Sequence, residues 1–133
     1  MKNFLLGFAI FAFYHVKSQV NWQQSTQWRL YKIQESVQFS ISADSLSLFK
    51  NYQMRSDSML YFLRSVDPMP ADARPVWMGG FAATCLYEGK IRKILISAYG
   101  GFFYDQASNK FFQLPGQEKD EWMQYINGCL STL

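Results

Sequence analysis

Hydrophobic and polar positions alternate most clearly between Ser36 and Ser42. Val37, Phe39 and Ile41 are separated there by Gln38 and Ser40. A period of two predicts a strand with one dry face and one wet face. Trp28 to Ile33, just upstream, is rich in strand formers. Gln34-Glu35 is then either a turn between two strands or part of one longer strand. The polar stretch Gln19 to Thr26 reads as a loosely held lead-in. Asp44 is placed to cap a short helical turn bearing Leu46, Leu48 and Phe49. The period then lengthens. Met59, Leu60, Phe62, Leu63 and Val66 form one apolar stripe, with Ser56 as N-cap and Asp57 in the first turn, which predicts a helix. Asp67-Pro68-Met69-Pro70 ends it, because each proline disfavours helix in the residue before it. The chain to Pro75 reads as a loop.

A strand-rich half follows. Val76 to Tyr87 reads as a strand, with Gly79-Gly80 as a bulge or bend inside it. Glu88-Gly89 reads as a tight hairpin turn. Ile91 to Tyr99 returns, with Ile94, Ile96 and Ala98 on one face, and Gly100-Gly101 bends the chain. Phe102 to Tyr104 continues, Asp105 to Lys110 is a polar turn, and Phe111 to Leu114 is a last short strand. Trp122, Tyr125, Ile126, Cys129 and Leu130 make the stripe of a final helix, with Glu118, Asp120 and Glu121 crowding its first turns. Adjacent strands with short turns pair antiparallel. The prediction is an α+β domain: an antiparallel sheet of four to six strands with two main helices packed on one face.

The N-terminal pattern is of another kind. Met1-Lys2-Asn3 is a charged start, Phe4 to Tyr14 is an 11-residue apolar run, and Val16 and Ser18 are small residues before a cut. That is the layout of a secretory signal peptide over residues 1–18. A membrane-spanning helix needs about 20 apolar residues, so an uncleaved interfacial helix is the weaker reading. No cysteine precedes Cys85, so a lipid-modified cysteine at the cut is not available. The expectation is an exported protein, periplasmic or extracellular. It has one domain over residues 19–133 and no membrane span once the leader is gone.

Composition changes the picture through what leaves with the leader. His15 is the single histidine of the chain. Its removal excludes Ser-His-Asp and Cys-His catalysis, and His-ligated metal sites, from the mature protein. Lys2 and Lys17 leave too, so 13 basic residues become 11 against 10 acidic ones. A balance that even, with no basic block, does not recommend nucleic acid as a partner. Five of the 24 aromatic residues leave and 19 stay. So many rings in a small core predict some at the surface or in a groove.

Four groups of residues are candidates for chemistry. Cys85 and Cys129 are an even pair in an exported chain, which predicts a disulfide between strand and helix, the alternative being two buried free thiols. Asp105 and Glu88 are the carboxylates for a rival reading as a hydrolase of glycan or envelope polymer, although no spacing singles out a catalytic pair. Asp is also a standard turn residue. Lys90, Arg92 and Lys93 form a small basic group at the hairpin, read first as a solvated end. The last group is Tyr99, Phe103, Tyr104, Phe111 and Phe112. Neighbouring strand residues point to opposite faces, and helices cover one face only. Some of these rings are therefore expected in a binding surface near the Gly100-Gly101 bend, for a protein or an envelope polymer. No cofactor or metal motif is present. The function expected is non-catalytic: binding, inhibitory or structural.

Overall fold

In the computed structural model, residues 20–132 are described, and the expected leader, Met1–Ser18, lies outside them. The strands are β1 (Thr26–Lys32), β2 (Asn51–Gln53), β3 (Asp67–Pro68), β4 (Phe81–Tyr87), β5 (Lys90–Ile96), β6 (Phe102–Asp105) and β7 (Lys110–Gln113). The helices are α1 (Ala43–Leu46), α2 (Ser56–Leu63) and α3 (Gly116–Leu130). All seven strands join one sheet in the order β2-β1-β4-β5-β6-β7-β3, and every pairing is antiparallel.

The sheet thus has seven strands rather than four to six. The surplus lies at its edges. β2 is three residues long, and β3 is the Asp67-Pro68 pair that sequence assigns to a loop. Proline is tolerated there because an outermost strand need not donate on its free side. At the centre, β4 and β5 pair from Phe81↔Ile96 to Tyr87↔Lys90. The Glu88-Gly89 connection has φ of 51° and 76°. Two left-handed residues in a two-residue loop match the twist of a hairpin, and glycine takes such a φ without strain.

One face of the sheet carries α2 and α3. Trp28, Leu30, Ala83, Cys85, Ile94, Ile96, Phe103 and Phe112 meet Met59, Phe62 and Leu63 of α2 and Trp122, Ile126 and Cys129 of α3. α2 starts at Ser56, but Arg55 is its N-cap and no side-chain cap bond is made. It stops at Leu63, short of Val66. The N-terminal segment is not loose. Trp22 is buried, with its ring 6.3 Å from Trp28 and 5.8 Å from Phe112. Ser25 ties this corner together: its hydroxyl accepts from Trp28 Nε1 at 2.9 Å and donates to Trp22 O at 2.6 Å.

The other face buries Tyr31, Ile33, Ala82 and Leu95 against Leu46 of α1. Irregular chain around residues 33–50 and 69–80 covers the rest. Here the strict alternation misleads. Residues 35–37 form a 3-10 turn instead of a strand, Val37 and Phe39 are exposed, and Gln38 is 0% exposed. The cause is polar satisfaction. Gln38 Nε2 donates to Phe81 O at 2.7 Å, and Gln38 Oε1 accepts from Trp77 Nε1 at 3.0 Å. A buried amide with partners outcompetes the exposed valine and phenylalanine beside it for the interior. Val76 to Gly80 is likewise outside β4. Gly79 marks the close approach of the two segments, since a Cβ there would overlap the Gln38 side chain.

Candidate aromatic groove

Alternation along β6 and β7 sorts the rings. Phe103 and Phe112 are paired across the strands and point to the helix side, 3% and 8% exposed. Phe103 lies 4.9 Å from the Trp122 ring. These two expected binding residues are core, because α3 and Trp22 cover them. Tyr104 and Phe111 are also paired, point to the opposite side, and stand 4.6 Å apart. Tyr99 is 63% exposed beside the Gly100-Gly101 turn and does not line the groove.

Two rings missed in the sequence complete the cluster. Phe39 is 5.7 Å from Tyr104 and 6.1 Å from Trp77, and Trp77 is 5.9 Å from Phe111. Phe39, Trp77, Phe111 and Tyr104 thus form a closed circuit of four rings. Phe39 remains 47% exposed, and the other three are half-buried. A Trp held between Pro75 and Gly79-Gly80 was the signal available for Trp77, since that punctuation argues against a continuous strand.

A cleft of about 650 Å³ opens on this cluster. Phe39, Tyr104 and Phe111 line it, Pro68, Met69, Pro70 and Ala71 form an apolar wall, and Arg74, Ser108, Asn109 and Lys110 supply its polar groups. Its parts are tied in place. Met69 N–H donates to Phe111 O at 2.8 Å, which fixes the proline wall to β7. Gln106 Nε2 donates to Phe39 O at 3.0 Å. The Tyr104 hydroxyl donates to Asn109 Oδ1.

The other candidates fall outside this cleft. Asp105 is fully buried on the helix side. Its carboxylate accepts from Arg92 Nε at 2.9 Å, from the second Arg92 nitrogen at 2.5 Å and from Ser108 Oγ at 2.6 Å. It is part of a structural ion pair, with the Arg92 guanidinium lying 5.3 Å from the Tyr87 ring and 5.7 Å from the Trp22 ring. The hydrogen bond that Arg92 donates to Asp105 also raises the Arg92 pKa. Glu88 sits exposed in the hairpin turn, beside a second cleft of about 530 Å³ that Lys90 and Lys93 also line. No carboxylate lines the aromatic cleft, so the carboxylate pair a hydrolase needs is not assembled there. The basic group is divided. Arg92 serves Asp105, whereas the Lys93 ammonium is buried, donates to Ile41 O, and has its pKa pushed down by that burial.

The expected disulfide is absent: Cys85 and Cys129 are both free and buried. Cys129 on α3 lies near the side chains of Tyr125 and of Tyr52 in β2. Cys85 belongs to β4, and β1 lies between those two strands. Burial pushes the Cys85 thiol up to about 12 and raises Cys129 as well, which makes both poor thiolates. Among the described residues no three His, Cys, Asp or Glu side chains gather as a metal site, and no helix is long and apolar enough to cross a membrane.

No protein-family model matches the chain, and comparison with curated proteins and with solved structures found no match.

Proposed function

We propose that this chain is an exported, non-catalytic binding domain of the cell envelope or the extracellular space, and that the aromatic cleft is its working surface. The observation that carries the reading is the ring circuit Phe39-Trp77-Phe111-Tyr104, half in water along a cleft of about 650 Å³. Single exposed rings are ordinary on a protein surface. A contiguous set walled by prolines is a patch, and such patches on a soluble domain serve binding. Aromatic side chains supply contact area at small entropic cost, which suits them to binding hot spots. The rival reading as a carboxylate hydrolase loses its first candidate, since Asp105 is committed to Arg92 and Ser108.

Export rests on the layout of Met1 to Ser18. Intact mass of the exported protein should correspond to a chain beginning at Gln19, and a cytosolic product retaining the leader would end that half of the proposal. For the binding half, Phe39→Ala and Phe111→Ala should weaken partner binding at least about tenfold each, while both variants stay folded. Unchanged affinity in both variants would remove the cleft as the site.

A further inference from the structure

We infer that the cleft takes an acidic peptide segment, a short extended stretch of a protein partner in which Asp or Glu flanks an aromatic or aliphatic side chain. This rests on the binding role proposed for the cleft and adds the chemistry of the occupant. Charge is the first argument. Arg74 and Lys110 line the cleft, both exposed, and no carboxylate lines it. Neither cation is paired with a carboxylate among the described residues. Arg74 uses one nitrogen on the neighbouring Ala73 carbonyl, 2.8 Å away, and a guanidinium has further donors to offer a carboxylate in bidentate fashion. The cleft is thus a cationic surface in a protein of nearly balanced charge.

The second argument comes from acceptors. A neutral glycan presents many hydroxyl donors, which carboxylate oxygens receive most strongly. This cleft has no carboxylate, and its one side-chain amide oxygen, Asn109 Oδ1, already accepts from Tyr104. A sugar ring would find no charged acceptor here, whereas a carboxylate would find two cations. The third argument is shape. Pro68, Met69 and Pro70 line the cleft beside the rings, with Met69 hydrogen-bonded to Phe111 of the neighbouring strand. An apolar wall beside aromatic rings seats hydrocarbon side chains, while the two cations at the same cleft hold the acids beside them. Acidic-motif and aromatic-groove recognition both work in this way.

The test is selection of a random-peptide display library on the purified protein, followed by titration of synthetic copies of the enriched peptides. The expected result is enrichment of Asp or Glu next to Phe, Leu or Tyr. Affinity should fall about tenfold or more in an Arg74→Glu/Lys110→Glu double variant and at raised salt. It should return when the acids of the peptide are changed to Lys. Both positions are exposed, so the variant should keep the melting temperature of the wild type. Enriched peptides that lack acids, or that ignore the charge reversal, would overturn the acidic class and leave the cleft as a binding site. Glycan binding that perturbs Trp77 fluorescence, with no peptide enriched, would overturn the peptide class and leave the binding role. Acidic peptides that still bind Phe39→Ala and Phe111→Ala would overturn both this inference and the assignment of the cleft, as would the absence of any peptide or glycan ligand.

Discussion

On the helix side of the sheet, Phe103 and Phe112 lie beneath α3 and Trp22, within an interior that also includes α2. On the opposite side, their chain neighbours Tyr104 and Phe111 lie beneath irregular segments that leave them half in water. The residue types and the pairing geometry are nearly the same on the two sides. The difference is the cover. Helices present a continuous apolar stripe and close over the rings. The irregular cover is held by a few polar anchors, Gln38 and Gln106 among them, and leaves a cleft between those anchors. A ring pair becomes core or half-open cleft lining according to what lies over it.

The most severe way to break this comparison is to truncate one ring on each side. Phe103→Ala should cost about 3–5 kcal/mol in urea unfolding, as for a buried aromatic. Phe111→Ala, half-exposed, should cost roughly 1–2 kcal/mol, since much less area leaves water. Equal losses would mean that the two faces are one core. A smaller effect should come from the anchor of the irregular cover. Gly79→Ala forces a methyl against Gln38 and should destabilise by about 1–3 kcal/mol, as overpacking does. Its signature is a change in Trp77 fluorescence, because the Trp77 indole shares the displaced amide. The smallest effect is alkaline and belongs to the helix side. Cys85 is raised from 9.0 to about 12, so above pH 9 the unfolded chain sheds a proton that the folded chain keeps. Stability from this group is complete below pH 9 and is lost as pH climbs toward 12, at up to about 1.4 kcal/mol per unit. Cys85→Ala should flatten the slope between pH 9 and 10.5 relative to wild type, and parallel curves would place Cys85 in water.

The parts of this molecule legible in sequence are those decided locally. The β4–β5 hairpin follows from its β-rich arms and Glu88-Gly89, and α3 from its stripe and acidic first turns. What was not legible depends on partners far along the chain. Gln38 is interior because of Phe81 and Trp77, 43 and 39 residues away. A period of two cannot register such partners, so it puts Phe39 on a dry face, whereas the ring is 47% exposed. Strands β2 and β3 are too short to carry a pattern of their own and exist only because β1 and β7 offer an edge. Half of the aromatic site was visible as Tyr104 and Phe111. Phe39 and Trp77 were not, because neighbours in space are supplied by the tertiary fold.

The brevity of those two outer strands bears on the life of the protein outside its folding pathway. A sheet of seven strands is wide, and a long bare margin would invite another copy to add to it and seed a fibre. Here the margins are Asn51–Gln53 and Asp67–Pro68, the first ending in exposed Gln53 and the second carrying an acid and a proline. Neither offers a run of hydrogen-bonding groups long enough to template growth. Strand addition therefore finds little to build on at either margin, even though the cleft with its exposed rings borders β3.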